Sequence, residues 1–141
     1  MTPFKEWYPD RELHYHGGFK RFGVKVRNGR LVVPVSGLYD LYSFFVFYEP
    51  CKPETGEPNV RLADQPLKHS IFKFDITEGR DTEVVQSVQP LKVSVNRYIN
   101  AYNSYISSVV RLTAGDEVSV KVSNITYLST PGTNFLGLKL L

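Results

Sequence analysis

The chain has 141 residues, enough for one domain with a core of its own. Its 17 Lys+Arg against 14 Asp+Glu leave a formal charge of +3, and with no Lys/Arg cluster this argues against a nucleic-acid partner. Hydrophobic residues at 42% and aromatics at 13% exclude a disordered chain, and a single cysteine excludes both an internal disulfide framework and a four-cysteine zinc site.

In chain order, Met1-Thr2-Pro3-Phe4-Lys5 has no apolar stretch behind it and does not read as a signal peptide. No apolar run anywhere reaches the roughly 18–20 residues that span a bilayer. The expectation is a soluble chain, either cytoplasmic or a piece of a longer secreted or anchored protein. His14 and His16 share one face if extended, as two metal ligands would, but only His69 could join them, and an exposed histidine pair is the simpler reading. No window carries apolar residues at i, i+3, i+4 and i+7 behind a cap, so no helix is predicted. Val, Ile, Tyr, Phe and Thr instead form short runs cut by Gly, Pro, Asn and Asp. The predicted strands are Phe22–Arg27, Leu31–Val35, Leu38–Tyr48, Leu67–Ile76, Glu83–Val88, Ser104–Leu112, Glu117–Ser123 and Asn134–Leu141. Asn28-Gly29 predicts a hairpin between the first two, because both residues tolerate φ > 0. Ala114-Gly115-Asp116 does the same between the sixth and seventh. The polar, proline-rich Glu49–Gln65 reads as a surface loop. Many short strands with frequent turns make an antiparallel β-sandwich.

One strand says more than the rest. Side chains alternate along Leu38–Tyr48, so Leu38, Asp40, Tyr42, Phe44, Val46 and Tyr48 share one face, and Tyr39, Leu41, Ser43, Phe45 and Phe47 the other. Both faces are mostly apolar, whereas a sandwich strand usually wets one of them. Tyr105, Ser107 and Val109 of Ser104–Leu112 likewise share a face. A second chain covering that surface explains the pattern; the alternative is an aromatic patch on a monomer larger than monomers commonly carry.

The stretch from Gly23 to Ser43, with Leu31-Val32-Val33-Pro34-Val35-Ser36-Gly37-Leu38-Tyr39-Asp40-Leu41-Tyr42-Ser43 at its centre, closely resembles the tumour necrosis factor (TNF) ligand superfamily. Tyr105 to Val120, with Val109, Leu112, Gly115-Asp116 and Ser119-Val120, is similar to a second block of that family. Pro131-Gly132-Thr133-Asn134-Phe135-Leu136-Gly137-Leu138-Lys139-Leu140-Leu141 resembles its terminal strand. The three blocks keep the family's order. The resemblance implies an all-β, ten-stranded jelly roll assembling as a homotrimer, with residues 19–141 as the TNF-like domain and residues 1–18 as a divergent segment or an engineered boundary. It implies an extracellular cytokine that binds and clusters TNF-receptor-family ectodomains through clefts between protomers. The ligand is secreted or shed from a type II membrane precursor, so any membrane link runs through a precursor anchor rather than through this stretch. No cofactor, metal or catalysis is implied, and the nucleophile-elbow, phosphate-loop and dinucleotide motifs are missing from the chain. A C1q-type or carbohydrate-binding jelly roll is the alternative on the same architecture.

By the same resemblance, Tyr42, Tyr105 and Phe135 match the family's axial aromatics, and Asp40, Lys139 and Leu141 join them at the trimer interface. Asp40 and Lys139 stand where relatives are apolar, and an acid and a base on neighbouring strands are expected to pair, within a protomer or across the interface. Receptor contact is expected from Thr77, Glu78, Gly79, Arg80 and Asp81, a loop that carries charge where several members carry an apolar anchor. The long loop Glu49–Gln65 and the stretch Ile125–Thr133, through Tyr127 and Leu128, are expected to share that contact. Cys51 matches the first half of a bridge that many members form, but a second cysteine is absent, which leaves a plain loop thiol. Asn124-Ile125-Thr126 is a glycosylation sequon, of use only on the secretory route.

Overall fold

Alternation of apolar residues, interrupted by turn formers, gives strands and no helix among the described residues. The computed structural model describes residues 2–3, 25–27, 29–61, 65–123 and 134–141. They form nine strands: β1 (Thr2–Pro3), β2 (Lys25–Arg27), β3 (Arg30–Val32), β4 (Gly37–Pro50), β5 (Leu67–Asp75), β6 (Arg80–Gln89), β7 (Ile99–Leu112), β8 (Glu117–Val122) and β9 (Phe135–Leu140). One sheet runs β2-β3-β8-β5-β6, with β1 also on β8; the other runs β7-β4-β9. Every pairing is antiparallel, the sandwich of jelly-roll type that the sequence predicts.

The hairpin between β2 and β3 forms as expected, with Gly29 at φ 75°. At the β7–β8 turn the Asp116 carboxylate accepts from Thr113 N at 2.9 Å, and Gly115 N donates to Val33 O at 2.8 Å, fixing the turn against β3. Strand β4 runs for 14 residues because no glycine or proline interrupts it before Pro50. Its odd-numbered face, Tyr39, Leu41, Phe45 and Phe47, is wholly buried against Leu67, Ile71, Val118, Val120 and Val122 of the other sheet, and Leu136 and Leu138 complete the layer.

Several strand ends shift from the sequence reading, β3 stopping at Val32 rather than Val35, and three further differences have identifiable partners. Strand β7 starts at Ile99 rather than Ser104, because Asn100 lies buried and donates its amide to Lys92 O at 2.8 Å, so a residue type disfavoured in strands is held in one. Strand β6 starts at Arg80, taking Arg80 and Asp81 out of the loop. Thr2–Pro3 pairs with Val122 and Lys121 although its residues carry no strand pattern. Residues 22–24 and Asn28 lie outside the described residues, as does most of the segment 1–18.

Candidate functional site

The outward face of the three-stranded sheet is built in rows by the strand register. Lys139, Asp40 and Val109 form one row across β9, β4 and β7; Gly137, Tyr42 and Ser107 the next; Phe135, Phe44 and Tyr105 the third. Leu38 lies opposite Arg111 at one end, and Val46 opposite Asn103 and Tyr48 opposite Ala101 at the other. Leu141 N donates to Leu38 O at 2.9 Å, continuing the β9–β4 ladder, and alternation gives Leu141 the side of Lys139 and Gly137. All six residues assigned to an interface from sequence therefore share one surface.

That surface is apolar and half open. Tyr105 is 60% exposed, Val109 58% and Leu141 62%, while Tyr42, Phe44 and Phe135 are half-buried against one another. The Tyr42 and Phe135 rings meet edge to face at 6.2 Å between centroids, and Phe44 stacks on Phe135 at 5.7 Å. The Tyr42 ring lies over Gly137: a Cβ there would sit 2.3–2.5 Å from two ring carbons and the hydroxyl oxygen of the tyrosine. Burial, then the Asp40 carboxylate, then Tyr105, raise the Tyr42 hydroxyl above the usual phenol range, so it stays a neutral donor at physiological pH. Phe44 and Gly137 were not singled out from sequence. Residue parity places both on this face, but only the packing shows Phe44 as the ring that braces Phe135 and Gly137 as the floor under Tyr42.

Asp40 and Lys139 are directly opposed across β4 and β9, yet they do not pair within the chain. The ion pairs among the described residues are Arg27–Glu117, Arg30–Glu117, Arg61–Glu49, Arg80–Glu78 and Lys121–Asp81.

The loops at the two ends of the sandwich are more ordered than their composition suggests. In the β5–β6 turn, the Asp75 carboxylate accepts from Thr77 N at 2.8 Å and Glu78 N at 3.2 Å, and Gly79 N donates to Asp75 O at 2.7 Å. Arg80 reaches back to Glu78 at 2.9 Å, both exposed. Asp81 instead pairs with Lys121 across the outer sheet. At the opposite end, the expectation of a plain surface loop over Glu49–Gln65 is corrected. Glu49 is the inward-facing end of β4, and Arg61 folds back to meet it with Nε to Oε2 at 2.5 Å and Nη2 to Oε1 at 2.7 Å. Both side chains are almost fully buried, Arg61 also donates to Gln65 O, and the Tyr102 hydroxyl donates to Glu49 Oε1 at 3.3 Å. Cys51 is buried, its thiol 3.1 Å from Arg97 O, and Cys51 N donates to Tyr98 O. That clasp joins the long loop to the segment before β7.

His69 lies at the centre of the core, between Ser43 and Ser104 and against the Phe45 ring. Burial alone lowers its pKa to about 3. His14, His16, Asn124, Tyr127 and Leu128 lie outside the described residues.

A sequence model of the TNF (Tumour Necrosis Factor) family matches residues 5–141. The chain is 28% identical to mouse tumor necrosis factor ligand superfamily member 6 over 108 residues, covering 76% of this chain and 34% of that protein. It is 26% identical to Sparus aurata tumor necrosis factor over 127 residues, covering 84% and 50%. With rat lymphotoxin-alpha it shares 30% identity over 123 residues, covering 84% and 57%. The chain thus spans between a third and just over half the length of these relatives. The matches favour the cytokine branch over the C1q-type alternative.

Proposed function

The chain belongs to the TNF family and is a TNF-superfamily cytokine of jelly-roll fold, and on that premise we propose that it is a homotrimeric extracellular ligand that clusters TNF-receptor-family ectodomains. The observation that carries this reading is the half-open aromatic face of β7-β4-β9. Among the described residues no third layer covers this face, and aromatics there bury large areas with defined geometry. Tyr42, Tyr105, Phe135, Asp40, Lys139 and Leu141 form the interface between protomers, of the kind that commonly exceeds roughly 2,000 Å² in total. Three equivalent clefts gather three receptor chains, and signalling follows from proximity, with no chemistry in the ligand.

Receptor specificity resides in Thr77–Asp81, which runs from the β5–β6 turn into the start of β6, in the clasped stretch Glu49–Gln65, and in the residues Tyr127 and Leu128. The domain spans residues 19–141, Asn124 carries a glycan, and the ligand reaches the cell exterior by secretion or by shedding from a type II precursor. Light scattering tests the assembly: a trimer is expected at micromolar concentration, and a clean monomer refutes it. A pull-down of cell-surface receptors with the trimer tests the partner. Arg80→Glu should then weaken capture, with wild-type binding falling as salt rises; unchanged affinity removes this loop from the contact.

A further inference from the structure

We propose that Asp40 of one protomer pairs with Lys139 of the next, and that this pair makes the chain assemble with copies of itself in preference to protomers that are apolar at both positions. The inference rests on the trimer reading above.

The two side chains occupy one cross-strand row on the outward face, where directly opposed Cβ atoms stand roughly 4.5–5.5 Å apart. That distance lets an aspartate and a lysine meet within the chain, yet no such ion pair forms, and Lys139 stays exposed. Their neighbours are Leu38, Tyr42, Val109 and Leu141, so covering the face desolvates both charges. An uncompensated charge in such a place is strongly unfavourable, whereas a paired one is tolerated. A threefold rotation preserves height along its axis. For strands that run along that axis, a row in one protomer meets the same row in the next, and the acid of one can face the base of the other. Among the described residues Arg111 is a second cation on this face, but it lies one row away, opposite Leu38. The pair adds direction rather than raw affinity: a protomer with apolar residues at both positions would leave one carboxylate or one ammonium stranded at each mixed interface.

The test mixes two charge reversals. Asp40→Lys carries two bases in the row and Lys139→Asp two acids, so each alone sets like charges together at every interface. Each is expected to raise the concentration at which trimers fall apart by about tenfold or more. Mixing the two places opposite charges at two of the three interfaces of every mixed trimer, and native mass spectrometry should show mixed trimers at concentrations where each variant alone is dissociated. Circular dichroism checks that each protomer is folded. Reversals that leave the trimer intact, a mixture that stays dissociated, or rescue of Asp40→Lys by Arg111→Asp in place of Lys139→Asp would each overturn the proposal. A monomeric wild type would refute the trimer reading itself. Where a reversal fails to fold, subunit exchange between wild type and the double variant Asp40→Leu with Lys139→Ile serves instead. Like-with-like trimers are expected to exceed the statistical share, and random mixing refutes the selectivity.

Discussion

Acid should weaken this protein through His69. Its side chain is fully buried, and its neighbours fix its protons. Ser43 spends its only hydrogen on Phe135 O at 2.8 Å, so its oxygen accepts from His69 Nε2–H at 2.9 Å. His69 Nδ1 is then the acceptor for the Ser104 hydroxyl at 2.8 Å. The neutral ring is satisfied on both sides, and a second proton has no acceptor without turning Ser104 around. The residues facing it are Ser43 and Phe45 from β4, Ser104 from β7, Ser87 from β6 by way of the ladder, and Val122 from β8, none of them charged. Burial lowers the folded pKa to about 3, against 6.5 unperturbed. Between those values the unfolded state binds the proton that the folded state refuses. The contribution is therefore whole above pH 6.5 and is lost as pH falls towards 3. The full loss is about 5 kcal/mol, and about 2 kcal/mol is already gone at pH 5. Urea unfolding at pH 7.5, 6 and 5, at fixed protomer concentration, measures it in the wild type and in His69→Gln, whose amide can still bridge the two serines but does not titrate. Between pH 7.5 and 5 the wild type should lose about 2 kcal/mol more than the variant. Equal pH slopes in the two proteins would refute this account of His69.

Arg61→Met should cost about 3–5 kcal/mol in thermal or urea unfolding, because it strands the buried Glu49 carboxylate. Adding Glu49→Met should recover most of that loss, since two apolar residues can replace a buried pair. Gly137→Ala forces its new methyl into the Tyr42 ring and should cost about 1–3 kcal/mol; in a Tyr42→Leu background the penalty should shrink, which a double-mutant cycle reads directly. Tyr42→Ala should raise the trimer's dissociation concentration by more than about tenfold in sedimentation or light scattering, because the loss is repeated at three interfaces.

Much of the fold is legible in the chain itself. The alternation along Leu38–Tyr48, the Asn28-Gly29 and Ala114-Gly115-Asp116 turns and the order of the strands are local properties: an extended backbone sends neighbouring side chains to opposite faces, and glycine and asparagine permit the turns. The same parity puts Asp40 beside Tyr42 on one strand and Lys139 beside Phe135 on another; that these and Tyr105 share one face is what the family resemblance implies, and the strand register shows it. What the chain could not show is where distant segments meet. Glu49 and Arg61 stand in a stretch whose prolines and charges read as solvent-facing, and only the fold-back of that loop onto Tyr102 buries them together. Asn100 becomes a strand residue because Lys92 supplies its partner, and Gly137 matters because β9 slides beneath Tyr42. Asp40 and Lys139 share a row by parity and register, yet they remain apart because side-chain conformation, not strand position, decides whether two charges touch. Periodicity is written residue by residue along the chain, whereas these contacts depend on the register between strands and on the path of a loop, which only the whole packed sandwich sets.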